Sequence, residues 1–313
     1  MKILVCGATG FIGRNITEAL AKNPLFSVHG VSHESPQYLA ETVTWHKADL
    51  RNPDEIDKVM NGVDVVIQAA ATTSGAKDII NRPYIHVTDN AVMNSYLFRS
   101  AFENRVRHVI FFSCTVMYPS SSSPLSENEL DGNEPLHEKY FGVGNTKIYL
   151  EKMCEFYGGI GETKFTAIRH SNIYGPYDKF DLEKSHVFGA TLTKVMNGKE
   201  RITVWGTGRE GRDLLYIDDL VHFVLLVLEK QESNYELFNC GSGKSVSVKS
   251  LVEKIIILSG KQLDIFYDRT KPTIETNLSL SCGRALSLLG WYPEVSLDEG
   301  IQRTIKWWRE HYT

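Results

Sequence analysis

Three glycines close to the start of the chain have the spacing of a phosphate-binding turn. Gly7, Gly10 and Gly13 follow a short apolar run and precede a segment in which apolar residues recur at helical spacing. Glycines in these places permit a tight turn, let backbone N–H groups approach a pyrophosphate and let the helix pack closely on the strand. The amino terminus of the helix attracts the anion. The pattern therefore predicts a dinucleotide site.

Charge near the end of the second predicted strand decides between NAD and NADP. NADP needs a cation there for its 2′-phosphate, whereas NAD usually has an acid beside its ribose. Residues 23–45 contain no Lys or Arg, and Ser32, His33 and Glu34 occupy the deciding region. Arg14 or His33 would have to reach the phosphate of NADP, so the local charge favours NAD.

Asp49 stands just after the third predicted strand. Its carboxylate can accept a hydrogen bond from an adenine amino group, and it can equally cap the helix that follows. Both roles stay open for this residue.

These residues need a sheet to position them, and the apolar pattern predicts one. Short apolar runs without alternation are typical of strands that are buried on both faces of a parallel sheet. Helix-length segments separate the runs, which predicts an α/β fold with a doubly wound parallel (Rossmann) sheet. The predicted strands are 2–6, 26–31, 43–47, 63–68, 108–113 and 165–169.

The chain is predicted to divide into two lobes. After the sixth predicted strand the alternation loosens, and turns rich in Gly and Pro separate short strands such as 202–205. We predict a dinucleotide-binding domain over 1–172, with return segments near 213–240. Segments 173–212 and 241–313 are predicted to form a smaller lobe that binds substrate.

One loop and two helix caps can also be located. Segment 119–135 is rich in Ser, Pro and acids and follows a predicted strand. It is expected to lie over the carboxyl edge of the sheet, where open α/β folds bind ligands, and a solvated connector is the alternative. Ser247 and Ser296 precede apolar helical patterns and are predicted N-caps.

Composition limits the class of protein. The 313 residues are 42% hydrophobic and 23% charged, with a net charge of −4. These values are ordinary for a globular protein and give no basic field for nucleic acid. No apolar run approaches the roughly 20 residues of a membrane span, and no export signal is recognised. The five cysteines lack metal-ligand spacing, so we expect reduced thiols, a cytoplasmic location, and no metal, nucleic acid or membrane partner.

The spacing G-x-x-G-x-x-G is where a family resemblance begins. With residues 68–71 (QAAA), Asn90, 169–176 (RHSNIYGP) and 212–219 (RDLLYIDD), the chain resembles the extended short-chain dehydrogenase/reductase family over nearly its whole length. Within that family these motifs are similar to those of nucleotide-sugar epimerases, dehydratases and reductases.

The resemblance implies a set of residues that contact NAD. They come from the glycine turn, from the ends of the second, third and fourth strands, and from elements near the nicotinamide. The implied set is Gly7, Thr9, Gly10, Phe11, Ile12, Gly13, Ser32, His33, Asp49, Leu50, Ala69, Ala70, Ala71, Asn90, Ser113, Lys147 and His170.

The acid/base of the family is not in its usual place. In the family, a Tyr four residues before a Lys exchanges a proton with the sugar hydroxyl, and the Lys holds the nicotinamide ribose. Lys147 has this context, but Val143 stands four residues before it, and a valine neither donates nor accepts a proton. Tyr140 lies seven residues before Lys147, about 10 Å along a helix at 1.5 Å per residue. We expect it not to be a replacement unless a non-helical start brings it closer.

Other catalytic positions also differ from the family. The family's Ser or Thr on the loop after the fifth strand corresponds to Cys114, with Thr115 beside it. Either would supply the hydrogen bond, with water or Lys147 as other carriers of the proton, and core packing is the alternative role of both. The Cys and His that GDP-fucose synthases use for epimerisation correspond to Val116 and His186. Val116 cannot act as the acid that epimerisation needs, so hydride transfer is favoured over epimerisation.

Three further segments, 185–187, 204–208 and 289–292, resemble the GDP-fucose synthase group, which implies a GDP-sugar ligand. The matching positions imply that Arg212 and Lys194 bind the diphosphate, because cations are natural partners of phosphate oxygens. Surface charge is their alternative role, and core packing is the alternative for Trp205. The implied substrate contacts are Asn172, His186, Val187, Lys194, Trp205 and Arg212.

We therefore predict an NAD-dependent oxidoreductase acting on C4 of a nucleotide-activated sugar. It would be a 4-dehydrogenase or 4-ketoreductase for a GDP-heptose or mannose-type substrate. A nucleotide-sugar 4-epimerase is one alternative, and it needs two proton exchanges that Val143 disfavours. A non-catalytic dinucleotide-binding regulatory subunit is the other. The resemblance also implies a homodimer through the helices after Asn90 and before Gly158.

Overall fold

A seven-stranded parallel sheet forms the centre of the fold. The computed structural model describes residues 1–72, 82–130, 135–182, 185–271, 273 and 276–312. The central sheet has the strand order β10-β6-β5-β4-β1-β2-β3, and every neighbouring pair is parallel. The strands are β1 Lys2–Cys6, β2 Ser27–Ser32, β3 Val43–Lys47, β4 Val65–Gln68, β5 His108–Phe112, β6 Lys164–His170, β7 Asn172–Tyr174, β8 Arg201–Trp205, β9 Gly211–Tyr216, β10 Tyr235–Cys240, β11 Ser245–Ser247 and β12 Asp264–Asp268.

Helices cover both faces of this sheet. In β1, Ile3 and Val5 enter the core that contains α1 and α6, whereas Leu4 and Cys6 enter the core that contains α2 and α3. Both alternating sets are buried, which is why the strands appear as continuous apolar runs in the sequence. The helices are α1 Phe11–Leu20, α2 Pro53–Met60, α3 Thr88–Glu103, α4 Phe141–Ile160, α5 Val187–Asn197, α6 Ile217–Lys230, α7 Val248–Ser259, α8 Gly283–Leu289 and α9 Leu297–Tyr312.

The predicted doubly wound fold is confirmed. All six predicted strands are present, with ends shifted by no more than two residues. The two predicted caps are also present: Ser247 Oγ accepts from Ser250 N at 3.1 Å, and Ser296 Oγ accepts from Glu299 N at 3.3 Å. No helix within the described ranges is long and apolar enough to cross a membrane.

The carboxyl-terminal half contributes smaller sheets beside the central one. Strands β11, β9 and β7 form a three-stranded sheet, and β12 pairs with β8. Strand β10 lies at the edge of the central sheet, parallel to β6. The chain therefore leaves the central sheet after β6 and returns to it at β10.

The loop after β5 is held against a segment near the carboxyl terminus. Ser121 N donates to Asn277 O at 2.7 Å, and Leu125 N donates to Ser279 O at 3.0 Å. Ser281 N donates back to Leu125 O at 2.8 Å. These bonds give the predicted loop, in its described part, a fixed place beside the carboxyl end of the sheet.

Candidate active site

The glycine turn is packed too tightly for any larger residue. A Cβ placed on Gly13 would lie 2.1 Å from the Gly7 carbonyl oxygen, and one on Gly7 would lie 2.7 Å from the Ala70 backbone nitrogen. Gly7 also has a φ of 72°, in the left-handed region that glycine adopts at little cost. The turn therefore brings α1 directly against the ends of β1 and β4, as dinucleotide binding requires.

The start of α1 is open to an anion. Its N-cap is Gly10, which makes no side-chain cap, and the first turn of this fully described helix contains no acid. The first N–H groups of a helix have no partners within it and carry the positive end of its dipole. Thr9, Phe11 and Ile12 surround this end of the helix. The residues present therefore fit the pyrophosphate of a dinucleotide.

A charged cluster follows β3. Arg51 Nε and Nη2 donate to the two carboxylate oxygens of Asp49 at 2.9 and 2.8 Å, and His33 Nε2 lies 3.7 Å from the same carboxylate. The hydrogen bonds from Arg51 lower the pKa of Asp49 to about 2, so Asp49 is ionised. Asn52, rather than Asp49, caps α2. The sequence analysis did not include Arg51. Its position two residues after Asp49 was the signal that could have indicated this ion pair.

Two residues considered near the ribose have other contacts. Ser32 is buried, and its hydroxyl bonds the neighbouring strand and the following loop. Arg14, the alternative partner of a 2′-phosphate, pairs with Glu18 at 2.8 Å. Its guanidinium also lies over the rings of Tyr38 and Tyr177, at 4.1 and 3.8 Å from their centres. The guanidinium of Arg14 is therefore already occupied by contacts with Glu18 and two aromatic rings.

Asn90 holds the loop after β4. Its Oδ1 accepts from Thr72 N at 3.0 Å, and its Nδ2 donates to Thr72 O and His86 O at 3.0 and 2.8 Å. These bonds anchor the loop that contains residues 69–71, which packs against the glycine turn. Leu50 is buried in the adjoining core. A direct contact of Asn90 or Leu50 with the cofactor stays a prediction.

Lys147 is buried beside the end of β5. Its Nζ donates to Phe112 O at 2.8 Å and lies 4.6 Å from the centre of the Phe111 ring. Burial lowers the pKa of the ammonium group, and the nearby Cys114 and Glu151 oppose that shift. The structure therefore places this cation at the carboxyl end of the sheet, just below the loop that carries Cys114.

Ser113 belongs to a buried polar network next to Lys147. Its hydroxyl donates to Glu151 Oε1 at 2.5 Å, and Arg169 Nη2 donates to Glu151 Oε2 at 2.7 Å. Arg169 Nη1 also donates to the Tyr118 hydroxyl at 2.9 Å, and that hydroxyl donates to Asn239 Oδ1 at 2.8 Å. The Ser113 side chain, which was predicted to contact the cofactor, therefore links the end of β5 to α4 through its bond to Glu151.

A cavity of about 310 Å³ lies beside the loop after β5, and Thr115, Val116, Tyr140, Asn172 and Arg212 are among the residues that line it. It therefore brings together three residues predicted to act on the substrate. A larger cavity of about 780 Å³ lies near the amino ends of β4, β5 and β6, and its described lining contains no predicted site residue. Ligands bind parallel α/β sheets at the carboxyl ends, so the smaller cavity is the candidate site.

Tyr140 lies on the wall of this cavity. Helix α4 begins at Phe141, and Glu138–Tyr140 form a 3-10 turn before it. Tyr140 is the N-cap of α4 and therefore lies just outside the α-helix, so the non-helical start left open by the sequence is present. Burial raises the pKa of Tyr140, and the positive charge of Arg212 opposes this.

Two histidines, His170 and His186, lie close to one another near Lys147. His170 Nδ1 donates to Ser171 O at 2.8 Å, which leaves Nε2 as an acceptor. Burial lowers the pKa of His170 to about 4, and the charges of Lys147 and His186 act in the same direction. His186 is the N-cap of α5, which begins at Val187, and burial lowers its pKa too. Both rings are therefore neutral near neutral pH.

The predicted substrate contacts form two groups. Arg212 lines the cavity, where its Nη1 donates to Thr276 O at 2.7 Å, and Asn172 lines it as well. Lys194 Nζ donates to a carbonyl of β8 at 2.9 Å and lies 5.7 Å from the Trp205 ring centre. Trp205 is 46% exposed, so it is not a core residue. The described residues contain no cluster of three or more metal-ligating side chains.

The sequence matches the NAD dependent epimerase/dehydratase family over residues 3–241. It is 29% identical to GDP-L-fucose synthase from Sinorhizobium fredii, over 97% of this chain and 94% of that protein. It is 30% identical to GDP-L-fucose synthase 1 from Arabidopsis thaliana, over 98% of this chain and 93% of that protein. The fold is similar to that of UDP-glucuronic acid 4-epimerase from Bacillus cereus in complex with UDP-glucuronic acid and NAD. That structure has a TM-score of 0.87 at 25% identity, with 100% of both chains covered.

The parallel sheet, the glycine turn and the open start of α1 define a dinucleotide-binding α/β protein. The chain belongs to the NAD dependent epimerase/dehydratase family, which confirms the predicted resemblance. Its cofactor is NAD, as predicted.

Proposed function

We propose that this protein is an NAD-dependent oxidoreductase that acts on C4 of a nucleotide-activated sugar. The observation that carries the proposal is the cavity that places Thr115, Asn172 and Arg212 around one space. Lys147 is buried close by, at the end of β5. The relatives named GDP-L-fucose synthases favour a GDP-sugar of the heptose or mannose type, as substrate of a 4-dehydrogenase or 4-ketoreductase.

In this proposal the residues around Lys147 orient the reacting groups. Bound NAD takes up or returns the hydride. Lys147 holds the nicotinamide ribose, and the neutral His170 accepts a hydrogen bond through Nε2. Thr115 bonds the sugar oxygen, with Cys114 behind it, and Val143 contributes no proton. Ordered donors around a reacting oxygen supply much of the rate of such a step.

The substrate is held from the second lobe, which we propose to comprise segments 173–212 and 241–313. Arg212 binds the diphosphate through a charge-assisted hydrogen bond, and Lys194 supplies a second cation. Trp205, exposed beside Lys194, packs on the nucleotide base. The remaining proposed contacts are Asn172, His186 and Val187.

We also propose a homodimer through α3 and α4. These helices expose large apolar side chains, namely Tyr96, Tyr149, Phe156 and Ile160. Clustered exposed apolar residues mark association surfaces more often than isolated ones do. Light scattering of the wild type should give the mass of a dimer, and Phe156→Lys should give the mass of a monomer. An unchanged dimer in that variant would place the interface elsewhere.

A panel of nucleotide sugars tests the function. GDP-, UDP- and CDP-sugars are mixed with protein and NAD, and the corresponding 4-keto sugars with protein and NADH, while absorbance of the reduced cofactor is followed. The proposal predicts a change with a GDP-sugar and a loss of that change in Lys147→Met. Stoichiometric binding of NAD without turnover of any sugar would indicate a non-catalytic subunit instead.

A 4-epimerase is the second candidate, and the similarity to the Bacillus cereus 4-epimerase favours it. An epimerase oxidises and then reduces the same carbon, so it produces no net change in cofactor absorbance. Chromatography of the sugar after incubation with NAD distinguishes the two activities. A C4 epimer without net NADH would exclude the proposed oxidoreductase.

A further inference from the structure

We infer that Tyr140 is the proton carrier of this site, presented from the turn before α4 in place of a tyrosine at position 143. The inference rests on the proposed oxidoreductase function and adds a catalytic residue to it. The observation that carries it is the position of Tyr140 on the cavity wall together with Thr115 and Arg212.

The backbone before α4 explains how the ring reaches the cavity. Glu138–Tyr140 form a 3-10 turn, in which Tyr140 N donates to His137 O at 2.7 Å. A Cβ on Gly144 would lie 2.8 Å from Leu136 Cδ1, so this glycine lets Leu136 pack on the first turn of the helix. The segment thus folds back over the helix start, and Leu136, His137 and Tyr140 all line the cavity.

Two hydroxyl groups are available at this wall. Among the described residues, neither the Tyr140 nor the Thr115 hydroxyl has a hydrogen-bond partner. A phenol titrates near pH 10, whereas an aliphatic hydroxyl stays protonated throughout the physiological range. Tyr140 is therefore the group that can exchange a proton, and Thr115 is the group that can orient the substrate oxygen.

The charges around the phenol suit a proton donor. Burial is the largest influence and raises the pKa of Tyr140, Arg212 on β9 lowers it, and Cys114 after β5 raises it. The His137 ring lies beside the phenol, with ring centres 5.6 Å apart. The phenol is therefore protonated at rest. The adjacent guanidinium of Arg212, which stays charged, stabilises the phenolate that remains once the proton has left.

The proton and the hydride balance in the reducing direction. The O–H bond of Tyr140 breaks, and its proton goes to the carbonyl oxygen on C4 of the sugar. The reduced nicotinamide cofactor supplies the hydride to the carbonyl carbon, which completes the alcohol. Tyr140 is left as a phenolate beside Arg212 and takes a proton back from water at the cavity opening. In the oxidising direction, the phenolate accepts the proton of the sugar hydroxyl.

The test compares Tyr140 with a tyrosine outside the site. Tyr140→Phe should lower turnover by about 10²- to 10⁴-fold, the usual loss for a positioned acid/base. Calorimetry should show that it still binds NAD and GDP as the wild type does. Tyr312→Phe is the matched control, because Tyr312 lies exposed at the end of α9 and should leave turnover unchanged.

A second measurement does not depend on the folding of the phenylalanine variant. Fluorotyrosine placed at position 140 keeps the ring and hydroxyl but has a more acidic phenol. It should shift the pH profile of turnover to lower pH, which a purely structural ring would not do. An unshifted profile, or full turnover by Tyr140→Phe, would overturn the inference and leave the proposed function standing. A wild-type protein that turns over no nucleotide sugar would overturn both.

Discussion

The carboxylate of Glu151 and the guanidinium of Arg169 meet at 2.7 Å with both side chains about 95% buried. Glu151 lies one helical turn beyond Lys147, and the same pair bonds Ser113 and Tyr118. One buried pair thus connects the helix that carries the lysine to the loop that lines the cavity.

Breaking this pair should strongly destabilise the fold. Arg169→Met leaves the Glu151 carboxylate buried without its charge partner, so we expect a loss of about 3 to 5 kcal/mol in the free energy of unfolding, measured in urea. The matched control is Arg99→Met, which breaks the exposed pair with Glu103 and should change the free energy of unfolding far less, because solvent screens that pair. Equal effects of the two substitutions would contradict the role of burial.

The charges after β3 should favour NAD over NADP. Arg51 is the cation of this cluster, and Asp49, Asp89 and Glu34 act on it with three negative charges. An added 2′-phosphate therefore meets a net negative site, and we expect NADP to bind at least about tenfold more weakly than NAD. Titration calorimetry with both nucleotides measures the ratio. Equal affinities for NAD and NADP would show that Arg51 breaks its bond with Asp49 and binds the 2′-phosphate.

Removal of Arg212 should weaken the binding of GDP but not the binding of NAD. Arg212→Ala should weaken binding of GDP by about 1.5 to 3 kcal/mol, the scale of a charge-assisted hydrogen bond, and leave NAD binding unchanged. Arg99→Ala serves as the control, because it removes an arginine from an exposed pair. Equal losses for GDP and NAD in Arg212→Ala would mean that Arg212 supports the fold rather than the diphosphate.

Asp178 should make stability depend on pH. Its Oδ2 has no partner among the described residues, and burial raises its pKa to about 7 from 3.8. Between these values the folded chain holds a proton that the unfolded chain has lost, so stability falls as pH rises from about 4 to 7. Asp178→Asn should remove that slope and, above pH 7, gain up to about 4 kcal/mol over the wild type.

Urea unfolding at several pH values measures this effect. The control is Asp264→Asn, since Asp264 is exposed at the start of β12 and its replacement should leave the slope in place. A wild-type slope that persists in Asp178→Asn would assign the proton to another group.

The fold was predictable because its signals are local. Lys2–Cys6 is a continuous apolar run, and a glycine triplet followed by helical periodicity fixes the first turn. The late caps at Ser247 and Ser296 are likewise encoded within four residues. Each of these features depends on neighbours in the sequence, so the sequence alone is enough to place it.

The site was predictable only in part. Thr115 follows β5 and Asn172 follows β6, whereas Arg212 lies at the start of β9 and only the family resemblance indicates it. All three residues line one cavity. The place of Tyr140 depends instead on where α4 begins, and the contact between Gly144 and Leu136 that accompanies this start is not visible in helical periodicity. The pairing of Arg51 with Asp49 was missed for a similar reason, because side-chain direction after a strand is set by the turn.

The contacts of Arg14 with Tyr38 and Tyr177 join segments that are far apart in the sequence. Tyr38 belongs to the loop after β2 and Tyr177 to the loop after β7, so one side chain of α1 links the two loops. Asn15 Nδ2 adds a bond to Pro176 O at 3.0 Å. The first helix therefore fixes these two loops relative to each other, and a substitution of Arg14 would loosen both at once.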